Sequence, residues 1–180
     1  MVIAIIIAVL VAAFDQLSKY LIVASDIATK GDLTVIPGIL TFVYSENDGM
    51  ALGIGSGFRW VYVAVTVIVC GIMFYLMTKN DFRNKLYYVS AGMIVGGGIG
   101  NMIDRIFNGY VVDFLSLSLF QLPSISTSPF SVSFYSPICN IADYFITAGT
   151  VCLIVFVIFY LGKSKKKTVA PAENIQNDEN

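Results

Sequence analysis

Ionisable residues close a long apolar run in this chain: Asp104, Arg105 and Asp113 fall within GGGIGNMIDRIFNGYVVDF, from Gly96 to Phe114, and Asp143 follows in CNIAD. Placing a charged side chain near a bilayer core costs about 3 kcal/mol even on lenient insertion scales, so acids in that setting read as functional groups. Two carboxylates that face each other at low dielectric cannot both stay ionised; one pKa rises and the pair shares a proton. Asp113 and Asp143, brought together, would therefore be an acid and a base in one device. One takes a proton from a trapped water, the water attacks a peptide carbonyl, and the other protonates the developing oxyanion, with no metal or cofactor required. The residues leave open which Asp holds the proton, although a first-turn position for Asp143 would place it where a helix dipole favours the charged form.

Composition sets the frame that must position these groups. Hydrophobic residues make up 57% of the 180-residue chain and charged residues 13%, and the mean hydropathy is +0.78, all of which indicate an integral membrane protein. The net charge of -1 gives no reason to expect a nucleic-acid partner. There is no histidine, and Cys70, Cys139 and Cys152 are far apart without a CxxC, so zinc chemistry and a disulfide framework both lack their ligands.

Four apolar segments, residues 2–24, 58–77, 86–107 and 140–161, are each long enough to cross a hydrocarbon core of about 30 Å. They predict a membrane α-helical fold, a four-transmembrane-helix bundle. The first segment lacks a basic n-region and is interrupted by Asp15 and Lys19, so it reads as a retained span and not as a cleaved signal peptide. Lys79, Arg83 and Lys85 link the second and third spans, and Lys163, Lys165, Lys166 and Lys167 follow the fourth, which puts both termini in the cytoplasm. Segments 25–57 and 108–139 then face outward. The first, with β-branched and aromatic residues between glycines, predicts a small extracytoplasmic β-sheet between helices 1 and 2. In the second, Pro123, Pro129 and Pro137 exclude one continuous helix. Residues 1–162 are expected to form a single membrane domain and residues 163–180 a basic, then polar, cytoplasmic tail.

With sides assigned, the embedded polar residues all fall at the outer leaflet: Asp15 and Lys19 late in the first span, Asn101, Asp104 and Arg105 at the end of the third, Asn140 and Asp143 at the start of the fourth, and Asn47 and Gly49 in the outer sheet. Asp113 and Asp143 can therefore meet at one outer-leaflet site. Each group also has a structural reading. Asp15 and Lys19 are i and i+4 on one helix face, where an ion pair accounts for both. Asp104 and Arg105 are adjacent and point apart. The glycines Gly96, Gly97, Gly98 and Gly100 suit close helix packing and not a phosphate loop, since no Lys-Ser or Lys-Thr follows. Ser18 diverges from its neighbour Lys19 on a helix, and Cys139 has no histidine to act as its base, so neither is a persuasive nucleophile.

FDQLSKYLI, NDGMALG, GGGIGNMIDR with GYVVDF, and CNIADY, in this order and at these spacings, resemble the sequence boxes of the lipoprotein signal peptidases, also called signal peptidase II. The resemblance covers Asp15 to Asp143 together with the four-span plan. It implies an aspartic endopeptidase of the bacterial inner membrane that removes signal peptides from prolipoproteins, cutting before the cysteine that carries diacylglycerol. By the family pattern Asp113 and Asp143 are the catalytic pair. Asn101, Asp104 and Arg105 then correspond to a polar cluster around substrate, Asn140 to a group near the dyad, Asn47 with Gly49 to a strand region approaching substrate backbone, and Asp15 and Lys19 to the box on the first helix. The expected partners are diacylglyceryl-prolipoproteins and membrane phospholipids, with the enzyme a monomer. Met50, Leu52 and Cys139 depart from the family pattern in ways that bear on pocket shape, and the segment between the two acids is longer than usual. A proton-coupled carrier is the main rival, but it would place its acids near the midplane in matched broken helices. A noncatalytic lipid-binding scaffold is another, and it would tolerate loss of either Asp.

Overall fold

Apolar residues at every position around a helix make a span, whereas glycines at every fourth position make a face that another backbone can approach. Both patterns occur in the chain, and they decide which helix sits at the centre. The computed structural model describes residues 1–49, 57–79, 84–117, 125–127, 130–132 and 138–168. Its long helices are α1 (Val2–Ala24), α3 (Arg59–Met77), α4 (Lys85–Phe107) and α5 (Ile141–Thr168), with a single turn α2 (Ile27–Lys30) after the first. Helices α1, α3 and α4 and the Ile141–Tyr160 part of α5 are long and apolar enough to cross a membrane. The helices begin within a residue of the expected positions. At its far end, however, α5 runs on as helix through Thr168, where a tail was expected from residue 163. Met50, Leu52, Arg83, the three prolines of the second outer segment and residues 169–180 lie outside the described residues.

Helix α4 is central. It packs against α1 and α5 along its length and against α3 to a smaller extent. Gly92, Gly96 and Gly100 form a stripe against α1, and a Cβ at Gly96 would lie 2.7 Å from the Ala8 carbonyl oxygen and 2.8 Å from Val11 Cβ. Gly97, on another face, lets α5 approach, since a Cβ there would lie 2.6 Å from the Ala142 carbonyl oxygen. At the end of the bundle remote from the sheet, Ala4, Met77, Tyr87, Ala91 and Phe156 form an apolar cluster. There the Tyr87 hydroxyl donates to the Met73 carbonyl (3.2 Å), tying α3 to α4. Most of α3 is exposed apolar surface, Val67 at 55% and Ile68 at 59% for example, as suits a helix that meets lipid.

At the other end the sheet differs from the expectation. Strands β1 (Leu33–Ile36) and β2 (Leu40–Asn47) do come from between the first two spans, but β3 (Val111–Leu117) and β6 (Ile138–Cys139) come from between the last two. They join in one antiparallel sheet of order β1-β2-β3-β6. β3 lies between β2 and β6, with Asn47 paired to Val111, Ser45 to Asp113 and Leu115 to Cys139. Strands β4 (Ile125–Thr127) and β5 (Phe130–Val132) make a separate antiparallel ladder. The prolines of the second outer segment argue against one continuous helix, and its described residues include strands whose pairing with the first segment depends on partners remote in sequence. One irregularity between Phe42 and Ser45 shifts the β2–β3 register next to Asp113.

The glycine face makes a direct prediction. Gly96→Ala places a methyl group against the Ala8 backbone, which cannot swing aside, and is expected to cost about 1–3 kcal/mol. Gly71→Ala on α3, where no atom lies within 4 Å, is expected to leave the thermal midpoint in detergent unchanged or slightly raised. Equal midpoints for the two variants would contradict the packing.

Candidate active site

The sheet and the ends of α4 and α5 converge on a cleft of about 350 Å³, lined by Asn47, Gly49, Tyr62, Asn101, Arg105, Asp113, Asn140 and Asp143 among others. Asp113 comes from the middle of β3 and is 3% exposed. Asp143 comes from the first turn of α5. Asn140 precedes that helix and caps it: its Oδ1 accepts the Asp143 backbone N–H (3.1 Å), and its own backbone N–H donates to Asp143 Oδ2 (3.3 Å). This is a capping box built from Asn and Asp, and it satisfies two donors that a helix start leaves open. Asn140 Nδ2 also donates to Asp113 Oδ1 at 2.6 Å, so one residue touches both carboxyl groups, that of Asp113 through its amide and that of Asp143 through its backbone N–H.

Two further asparagines complete the arrangement. Asn47 Nδ2 donates to the other Asp113 oxygen (2.8 Å), while its Oδ1 accepts the Gly49 N–H (3.0 Å). Asn101 Nδ2 donates to Asp143 Oδ1 (2.8 Å), while its Oδ1 accepts from Lys19 Nζ (2.9 Å). Each amide has its oxygen engaged by a donor, which fixes its polarity and leaves the NH₂ for a carboxylate. The acids are therefore held directly by neutral donors. Burial pushes the Asp113 carboxyl up to about 6; the negative charge of Asp143 adds to this, and the Asn47 and Asn140 hydrogen bonds act against it. A carboxyl in that range exchanges its proton near neutral pH, as acid–base work requires.

Asp15, Lys19 and Asp104 sit behind the cleft and do not line it. They are 0%, 3% and 2% exposed. Lys19 Nζ meets Asp15 Oδ2 at 2.7 Å and Asp104 Oδ2 at 2.9 Å, and with Asn101 these fill its three donors. The expected i,i+4 pair on α1 therefore forms, with a third member from α4. Asp104 and Arg105 point apart, as adjacent helical residues should. Arg105 faces the cleft, with its guanidinium carbon 4.9 Å from the centre of the Tyr62 ring and Nη2 donating to the Gly49 carbonyl (3.1 Å). Its buried Nε has no hydrogen-bond partner among the described residues.

Sequence reasoning passed over Gln16, whose Nε2 donates to Asp104 Oδ1 (2.9 Å) and to the Gly100 carbonyl (3.1 Å), joining α1 to α4. A polar residue between two charged ones in a span was the available signal. Tyr62, Val65 and Thr66 on α3 also line the cleft, and nothing in their types sets them apart from other residues of that helix. Cys139, in the cleft wall, has Sγ 3.6 Å from the Leu115 carbonyl oxygen and 3.3 Å from the Tyr144 hydroxyl. Burial raises its pKa, which keeps it a thiol and a poor nucleophile.

Two outcomes follow from this geometry. Asn140→Ala removes the cap of α5 and a donor to Asp113 together, and is expected to lower stability by about 1–3 kcal/mol in denaturant or thermal unfolding. The pH effect has a defined sign. Asp113 has a folded-state pKa near 6, above its ordinary 3.8, so folding favours its protonated form. Its stabilising contribution is present below about pH 4 and is lost as pH rises to about 6, amounting to about 3 kcal/mol at most. The thermal midpoint of Asp113→Asn minus that of the wild type should grow across this window and level off above it; a difference independent of pH would refute the raised pKa.

Residues 7–159 match the family model described as signal peptidase (SPase) II. The lipoprotein signal peptidase of Listeria monocytogenes serotype 4a (strain HCC23) is 37% identical over 156 residues, covering 86% of this chain and 92% of that protein. The lipoprotein signal peptidase of Symbiobacterium thermophilum is 36% identical over 155 residues, covering 86% and 93%. A bacterial membrane enzyme solved by the in meso method at 2.3 Å resolution superposes with a TM-score of 0.71 at 29% identity, covering 96% of this chain and 94% of that one. A second, at 1.9 Å resolution, gives 0.67 at 33% identity, covering 86% and 91%. The chain belongs to the signal peptidase II family of aspartic membrane proteases.

Proposed function

We propose that this protein removes the signal peptide from diacylglyceryl-modified prolipoproteins, cutting before the lipidated cysteine, with Asp113 and Asp143 as its catalytic pair. The observation that carries this reading is Asn140, which contacts both carboxylates and so holds acids from two separate elements against one cleft. Asp113, with its raised pKa, carries the shared proton. Asp143, at the positive end of the α5 dipole, acts as the base. A water between them loses a proton to Asp143 and attacks the scissile carbonyl carbon as Asp113 protonates the carbonyl oxygen. Collapse of the tetrahedral intermediate breaks the C–N bond as the proton on Asp143 passes to the leaving amine and one hydroxyl proton returns to Asp113, restoring the pair. The products are a signal peptide with a new carboxylate and a lipoprotein with a free N-terminal cysteine. No metal enters these steps.

The location follows from the lysines. Lys79 and Lys85 lie at the end of the bundle away from the cleft, and by the positive-inside rule that end faces the cytoplasm. The cleft then opens at the outer leaflet of a bacterial cytoplasmic membrane, with both termini inside, and residues 1–162 act as one membrane domain. A diacylglyceryl group anchored in that leaflet holds the scissile bond at the level of the acids, so lipidation acts as an address; equal cleavage of lipidated and unlipidated precursor would contradict this. The enzyme works as a monomer among phospholipids.

The deciding experiment is cleavage of a purified diacylglyceryl-prolipoprotein in detergent with a chelator present throughout. Wild type should cut before the lipidated cysteine, and Asp113→Asn and Asp143→Asn should each lose at least about 10³-fold in turnover while remaining folded. Wild-type rates in either variant would remove that residue from the pair.

A further inference from the structure

The buried ion cluster behind the cleft joins three ionisable side chains from two helices. Asp15 and Lys19 already neutralise each other on α1 at 2.7 Å. Asp104 adds a second carboxylate to the one ammonium, among side chains that are at most 3% exposed. Burying a further ionisable group in the interior of a membrane bundle is costly. Each carboxylate also holds a backbone N–H outside its own helix. Asp15 Oδ1 accepts from Ala142 N–H (2.9 Å), and Asp104 Oδ2 accepts from Val112 N–H (3.2 Å). Ala142 immediately precedes Asp143, and Val112 immediately precedes Asp113.

We propose that Lys19, Asp15 and Asp104 are positioning residues for the catalytic pair, with one buried ammonium joining two carboxylates that each hold the backbone next to one catalytic acid. The inference rests on the assignment of Asp113 and Asp143 as that pair. Asp15 holds the start of α5 and Asp104 holds β3, so the gap between the two acids depends on where Lys19 places the two carboxylates. A second route runs through the Asn101 amide, which spans from Lys19 Nζ to Asp143 Oδ1. None of the three lines the cleft, so their effect reaches the reaction through the acids and not through contact with substrate. Misplacing a catalytic group by about 1 Å costs on the order of 10²-fold in rate, which sets the size of effect to look for.

Two variants perturb the cluster in different ways. Asp104→Asn removes the second carboxylate while keeping the side chain's size. Gly100→Ala keeps every charge but sets a methyl group 2.5 Å from Asp15 Oδ2. Both are measured on the full chain in detergent with the lipidated precursor, together with thermal midpoints and with Asp113→Asn as a parallel control. The expected result is a kcat lowered by about 10–100-fold in protein that remains folded, with KM within about twofold of wild type. Unchanged kcat in folded variants overturns the proposal, and so does a loss confined to KM, which would place these residues in substrate binding. If neither variant folds, the cluster serves folding alone and the positioning role is also overturned. If Asp113→Asn turns over at the wild-type rate, it is instead the assignment of the catalytic pair that fails.

Discussion

The polarity of three asparagine amides is the constraint on which the site depends. Asn47, Asn101 and Asn140 each present an NH₂ group to the carboxylate of Asp113 or Asp143, and each does so because a donor behind it engages the amide oxygen. Reversing any one of them would set an amide oxygen against a carboxylate oxygen. The donors differ in kind: a lysine from α1, a backbone N–H beyond β2, and the backbone N–H of Asp143 itself. A neutral amide suits this task better than a cation. It orients a carboxylate and partly offsets its desolvation without fixing it in the ionised form.

Close backbone approach is what makes these short contacts possible. Side chains reach from α1 to α4 and from α1 to the start of α5 because glycines on two faces of α4 allow its neighbours in. Gly100 shows the link: its missing Cβ is the space that the Asp15 carboxylate occupies. The glycine run and the ionic cluster thus belong to one device. The ionic cluster and Gly100 lie at the sheet end of the bundle, whereas Gly92 packs on Ala4 toward the opposite end, which is closed by the apolar packing around Tyr87.

Charge in the site is graded by depth. Lys19 and its carboxylates are fully enclosed and matched almost atom for atom. Arg105 lines the cleft and spends a guanidinium donor on a main-chain carbonyl next to Asn47. Asp113 is buried yet forms part of the cleft wall.

Composition and periodicity alone determined the membrane class, the four spans to within a residue at their starts, and the grouping of polar residues at one end, because each depends on local hydrophobicity summed over a helix length. The boxes around Asp15, Asn47, Asn101, Asp113 and Asp143 also pointed to the family, since their order along the chain carries that information without any contact being known. Spacing on one helix gave the Asp15–Lys19 pair, as i,i+4 geometry needs no other element. What the sequence did not disclose lies between elements. The sheet recruits β3 and β6 from the far side of two spans, and strand pairing depends on partners remote in the chain. Asp104 joins Lys19 across two helices, Gln16 reaches α4, and Asp15 holds the N–H of Ala142, 127 positions away. Which oxygen of each carboxylate meets which donor, and hence how the two acids are set against each other, was decided only when α1, α4, α5 and β3 packed together, because hydrogen-bond direction is a property of assembled backbones and not of residue type.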